Sequence, residues 1–140
     1  MRYIDAFNHF FPKRYFDALL ESPTGAKDIG KRVRGIPALF EIEQRLRIVE
    51  QFPDYSQVLS HGLPPVERLF GPDKSPEMAR IANDGLAEVV AKHPKHFAGY
   101  SALLPMNVPD AAAKEAERVL KDGANAIQLA TNAKDRKSVA

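Results

Sequence analysis

The sequence contains no cysteine. That excludes a disulfide framework, Cys-ligated zinc and a thiol nucleophile. It also has little net charge: 20 Lys+Arg stand against 18 Asp+Glu, a formal balance of +2. A nucleic-acid partner normally needs a basic excess gathered on one face, so none is expected. No apolar run approaches the ~20 residues of a membrane span. The opening Met1-Arg2-Tyr3-Ile4-Asp5 lacks the apolar stretch of a signal peptide, so neither a membrane partner nor export is expected and the chain reads as cytoplasmic. Walker loops, Gly-rich dinucleotide fingerprints and Gly-x-Ser-x-Gly elbows are absent, as are internal repeats and low-complexity tracts. What remains is the ordinary balance of a globular domain: 140 residues, 44% hydrophobic and 27% charged.

The apolar pattern alternates between two periods. Tyr3 to Phe7, Tyr55 to Ser60, Phe97 to Leu104 and Ala126 to Ala130 are short and rich in strand formers. Between them lie helical patterns. Arg14 to Leu20 is a short helix, and Ala38 to Phe52 carries a stripe of Leu39, Ile42, Leu46 and Val49 with Glu41, Glu43, Arg45 and Arg47 off the stripe. Ser75-Pro76-Glu77 has the chemistry of a helix start, with Ser as N-cap and Pro at the first helical position. Asn107-Val108-Pro109-Asp110 opens an alanine-rich helix that runs to about Asp122, with Gly123 suited to end it. Ser22 to Pro37, with Pro23, Gly25, Gly30, Gly35 and Pro37, reads as a loop with a basic run at Lys31, Arg32 and Arg34. Strands alternating with helices predict consecutive βα units on a parallel sheet.

In such folds the chemistry gathers at the C-terminal ends of the strands. Two of the four histidines fall there: His9 after the first strand and His61 after the second. Imidazole both ligates metals and titrates near neutrality; a histidine in a tight turn or an exposed loop is the plainer alternative for each. His93 and His96 flank Pro94 at a helix exit, where capping and solvation suffice. The basic run could grip a carboxylate through paired guanidinium hydrogen bonds, or be solvated surface.

The opening Ile4-Asp5-Ala6-Phe7-Asn8-His9-Phe10-Phe11-Pro12 resembles the first strand of the amidohydrolase-related family, which has Ile-Asp-x-His-x-His, an apolar pair and Pro. Members include 2-amino-3-carboxymuconate 6-semialdehyde decarboxylase and aromatic-acid decarboxylases. Glu43-Gln44-Arg45-Leu46 leading to Gln57-Val58-Leu59-Ser60 is similar to the family's first barrel helix and second strand. The likeness continues through Ile81-Ala82-Asn83-Asp84-Gly85-Leu86, His93-Pro94-Lys95-His96-Phe97-Ala98-Gly99, Leu103-Leu104-Pro105-Met106 and Asp122 to Leu129. It covers roughly Arg2 to Asn132.

The resemblance implies an α/β fold, the N-terminal half of a (β/α)8 TIM barrel with about four parallel strands alternating with helices. It implies residues 1–133 as a partial barrel domain and residues 134–140 as a disordered tail. It implies a divalent metal in the complete enzyme, zinc above all and manganese in some members, with His9 as ligand, Arg34 and His61 lining the site, and a small carboxylate as substrate. Decarboxylation or hydrolysis is the expected reaction. Two departures stand out. Phe7 occupies the place of the first ligand histidine and cannot ligate; Asp5, two residues earlier on the same strand face by the period of two, lies deeper and is not promoted to ligand. The family's other ligands come from later strands, and a full barrel takes ~250 residues. The chain is therefore expected to be a fragment, inactive by itself, with the metal expected in the complete enzyme rather than in this chain. The rival reading is a non-catalytic barrel relative, or a half-barrel that has lost metal binding and associates with a partner or with itself. A flavodoxin-like domain would suit the length, but no phosphate-binding loop follows the first strand.

Overall fold

A computed structural model describes residues 3–22, 29–133 and 136–137. The chain runs β1 (Tyr3–His9), α1 (Lys13–Glu21), α2 (Ile29–Arg34), a 3-10 turn at Pro37–Leu39, α3 (Ile42–Val49), β2 (Tyr55–Ser60), α4 (Val66–Leu69), α5 (Ser75–Lys92), β3 (Phe97–Leu103), α6 (Pro109–Lys121) and β4 (Ala126–Gln128). Two-residue strands β5 (Asn132–Ala133) and β6 (Arg136–Lys137) follow and pair antiparallel. The main sheet has the order β1-β2-β3-β4, and every pair in it is parallel. Sequential parallel strands with helical crossovers are the expected half-barrel arrangement. No helix of the described residues is long and apolar enough to cross a membrane.

Two apolar clusters fix the helices to the sheet. Phe10, Leu59, Leu86, Phe97, Tyr100, Ala102 and Val119 form one, joining β2 and β3 to α5 and α6. The other gathers Phe11, Tyr15, Phe16 and Leu19 of the α1 region with Val66, Leu69, Met78, Ala79, Ala82 and Leu103. Side chains such as Leu19, Leu59 and Leu86 are wholly buried, each worth about 1.5–3 kcal/mol relative to exposure. Gly85 lets the two layers meet: a Cβ there would lie 2.4 Å from Cβ of Pro12, at the entry to α1.

Polar pins complement the clusters. Asn83, fully buried on α5, accepts from the Leu103 N–H at 3.0 Å and donates to the Leu103 carbonyl at 3.0 Å and to Glu115 Oε1 at 2.8 Å. Glu115 in turn receives Arg118 at 2.7 and 2.8 Å. One amide thus ties α5 to β3 and α6.

Several elements depart from expectation. The glycine-rich loop contains α2, whose Val33 is buried while Lys31, Arg32 and Arg34 are exposed; residues 23–28 of that loop lie outside the described residues. The long helix begins at Ile42, because Pro37–Leu39 forms a separate turn. Ser75 is the first residue of α5 rather than its cap, and its hydroxyl donates to Asn107 Oδ1 at 2.7 Å. Gly123 ends α6 with φ +97°, the left-handed geometry glycine adopts without strain. Of the tail expected over residues 134–140, only the backbone of Arg136–Lys137 lies within the described residues.

Candidate functional site

The ends of β1 to β4 open onto a cleft of about 580 Å³. Phe7 and His9 reach it from β1, His61, Gly62, Leu63 and Pro65 from the segment after β2, Arg68 from α4, Leu103 from β3, and Gln128 to Asn132 from the end of β4. His9 and His61 therefore share one cleft. Arg34 is exposed at the end of α2 and is not among the lining residues. That helix keeps the basic run on its outer face.

His9 is held on three sides. Its Nδ1 lies 3.0 Å from Ser60 Oγ, and that hydroxyl donates its proton to the Asn8 carbonyl at 2.8 Å. With its proton committed, Ser60 can only accept from His9, so Nδ1 carries the hydrogen and Nε2 keeps its lone pair. The His9 carbonyl accepts from Arg45 Nη2. Burial, and then the Arg45 charge, pull the His9 pKa below the ordinary histidine value. The Phe7 ring stands edge-on to the imidazole with centroids 4.9 Å apart.

Arg45 lies off the apolar stripe of α3, yet it is only 7% exposed. Its guanidinium donates to the Ala38 carbonyl at 2.8 Å, Gln57 Oε1 at 3.1 Å and Asn8 Oδ1 at 3.3 Å, besides the His9 carbonyl. Four neutral acceptors on three segments replace its water, and they fix the end of β1 against α3 and β2.

The β1–β2 register shifts between Asp5 and Asn8, so the period of two does not settle whether Asp5 and Phe7 share a face. The Asp5 carboxylate is engaged by the Phe7 N–H at 3.0 Å and the Tyr55 hydroxyl at 2.8 Å. A bulge of this kind breaks the period of two.

His61 is 3% exposed, and neither ring nitrogen makes a hydrogen bond of ordinary geometry. The Tyr15 ring stands edge-on at 5.3 Å. Burial drives its pKa down to about 3; the Ala82 backbone opposes this weakly, and the His9 charge adds to it. The ring is thus neutral across the physiological range. Gly62 is required beside it, since a Cβ would come within 2.7 Å of the Phe11 ring and 3.7 Å of His9 Cβ.

No family model matches the chain. It is 40% identical over 80 residues to a gamma-resorcylate decarboxylase from Polaromonas sp. strain JS666; the match covers 57% of this chain and 24% of that protein. Among solved structures, 5-carboxyvanillate decarboxylase from Sphingomonas paucimobilis aligns with TM-score 0.78 and 25% identity over 96% of this chain and 44% of that one. A dihydroxybenzoic acid decarboxylase from Polaromonas sp. JS666, with bound manganese and 2-nitroresorcinol, aligns with TM-score 0.68 and 32% identity, covering 90% and 37% respectively. The chain is similar, in sequence and in fold, to proteins of the amidohydrolase-related superfamily. Its sheet and helices are those of a half-barrel of that superfamily, and the chain spans less than half the length of these relatives.

Against the metal centre of an amidohydrolase-related protein, the residues present fit in one place only. His9 offers a free Nε2 lone pair, while Phe7 offers nothing, and no group of three His, Cys, Asp or Glu residues that could hold a metal exists among the described residues. The chain's own described side chains do not build a metal site.

Ser60, Arg45 and Arg68 are the site residues that sequence reasoning missed. The signal for Ser60 was its place in register beside His9 at adjacent strand ends. Arg45 and Arg68 left none, because burial on α3 and the turn of α4 depend on tertiary packing.

Proposed function

We propose that the strand-end cleft is the part contributed by β1 to β4 to the active site of an amidohydrolase-related decarboxylase acting on small aromatic carboxylates. The observation that carries this reading is the coincidence of the 40%-identical match to a gamma-resorcylate decarboxylase with a cleft that gathers His9 and His61 between apolar walls. In decarboxylation the C–C bond to the carboxylate breaks, CO2 leaves, and the electron pair on the ring carbon takes up a proton. A charged carboxylate becomes a neutral gas, so apolar walls weaken the ground state more than the transition state once water is shut out. Phe7, Leu63 and Leu129, exposed in this chain, supply such walls when a substrate covers them. The neutral His61 ring adds no charge to that wall, and Ser60 and Arg45 hold His9 with Nε2 free.

A divalent metal would supply Lewis-acid polarisation when bound, and His9 is the one ligand these described residues would give it. The manganese in one relative supports a divalent ion without singling out zinc. The test is CO2 release from gamma-resorcylate by the native gene product with added Mn2+ or Zn2+, in parent and His9→Ala proteins. Release by the parent with loss of at least a hundredfold in the variant is expected; equal rates would sink the reading.

Phe7 favours a second reading, a relative that no longer binds metal. Phe7→His decides between them by calorimetric titration with Mn2+ and Zn2+. Affinity already present in the parent supports the enzyme, whereas affinity gained only in the variant supports the loss.

A further inference from the structure

The cleft at the strand ends has a charge of one sign. Among its lining residues Arg68 alone carries a fixed charge, and no Asp or Glu joins it. Three other arginines are occupied. Arg45 is buried among neutral acceptors, Arg118 is shared by Glu115, Asp84 and Asp122, and Arg80 pairs with Asp84. The Arg68 side chain is exposed and makes no hydrogen bond or ion pair among the described residues. It sits on α4, immediately after buried Val66 and Glu67, so its backbone is anchored while its guanidinium is free.

An unpaired guanidinium offers donors in a planar fork that matches a carboxylate. In a concave apolar setting its field is focused rather than screened. Leu63, Phe7 and Leu129 supply that setting. A ligand suited to all three features is a small monoanion with one carboxylate and a flat apolar body.

We propose that Arg68 is the specificity-determining residue that recognises the carboxylate of such a monoanion, the role expected of Arg34. The inference rests on the decarboxylase reading for the identity of the natural substrate. Anion recognition itself follows from the charge of the cleft.

Benzoate is the probe, and benzamide its uncharged match in shape. Binding of each to the full chain is followed by NMR titration of backbone amides around Gly62 and Leu129. Benzoate is expected to bind at least tenfold more tightly than benzamide and to weaken as salt rises. Arg68→Gln should bring benzoate down to the benzamide level and leave benzamide unchanged. Arg68→Lys should recover part of the difference, and Arg34→Gln should behave as the parent. Because Arg68 is exposed, its variants should keep the parent's far-UV circular dichroism.

Any of these outcomes overturns the proposal: no benzoate binding by the parent at millimolar concentration, equal binding of benzoate and benzamide, or benzoate binding by Arg68→Gln as tight as by the parent, whether or not Arg34→Gln loses it. Failure of the decarboxylase reading looks different. In that case the benzoate series behaves as expected while the native gene product releases no CO2 from gamma-resorcylate. If CO2 is released and Arg68→Gln binds benzoate as the parent does, the Arg68 assignment fails alone.

Discussion

At the scale of single residues, the site depends on where protons are allowed to sit. His61 has no ordinary hydrogen-bond partner for either ring nitrogen and faces the Tyr15 ring, the Ala82 backbone and, further off, His9. Protonating it in the folded state means placing a charge in that enclosure. The folded pKa of about 3 lies below the ordinary 6.5, so between those values the unfolded chain binds a proton that the folded chain refuses. Stability is then complete above pH 6.5 and falls as the pH drops toward 3, by about 1.4 kcal/mol per pH unit from this group. Urea unfolding of parent and His61→Leu from pH 7 to pH 4 measures it. The parent should lose stability relative to His61→Leu as pH falls, because leucine has no proton to take up. A constant difference would mean that His61 titrates as an open histidine does.

The strand-end histidines were legible because topology alone puts β-strand C-termini at the site. The arginine was not. Lys31 to Arg34 forms a dense basic run in the sequence, but α2 turns all but Val33 outward. Arg68 stands alone in the sequence and gains its importance from a four-residue helix that brings it over the cleft. Arg45 lies off the apolar stripe, and only the fold shows that four neutral acceptors from distant segments bury its charge.

At the scale of elements, strands and long helices were legible from period, whereas α2 and α4 were not. Each buries too few side chains to leave a helical stripe, and Gly30 and Gly35 punctuate the first as if it were loop. The packing of α5 shows two further constraints that no period reveals. Gly85 is one. Alanine would gain about 1 kcal/mol of helix propensity, but its Cβ would overlap a proline ring that cannot rotate away. Overpacking of that kind costs about 1–3 kcal/mol, so Gly85→Ala should be net destabilising by about 1 kcal/mol in chemical denaturation. Asn83 is the other. Asn83→Ala leaves the Leu103 N–H and carbonyl without their buried partners and should cost about 2–4 kcal/mol. Asn83→Asp preserves shape but aims a carboxylate at Glu115 and at the Leu103 carbonyl. It should be the worse of the two at pH 7 and recover at low pH, when the new carboxyl is protonated. Equal stability of the two variants at pH 7 would mean that the donated hydrogens of Asn83 do not matter.

On the scale of the whole molecule, the consequence of four strands is an open sheet. A closed barrel has no edges, but here β1 and β4 each pair on one side only among the described residues. Tyr3 and Ile4 on the outer strand are 62% and 57% exposed, and Leu129 beyond β4 is 43% exposed. Unpaired backbone beside apolar side chains is a template for another chain. Exposed edges that natural proteins leave unpaired are blunted by charge, and at Tyr3 and Ile4 that charge is missing. The 140-residue chain should therefore associate in a concentration-dependent way, seen by sedimentation velocity between about 5 and 200 μM, with association depending on the edge. Tyr3→Lys and Ile4→Lys lie at the N-terminal end of β1, away from the cleft, so they test the edge without disturbing His9 or Arg68. Each should shift the distribution toward monomer, the double variant most, with benzoate binding unchanged. If the parent is monomeric throughout that range, the open sheet is covered by something other than a second edge.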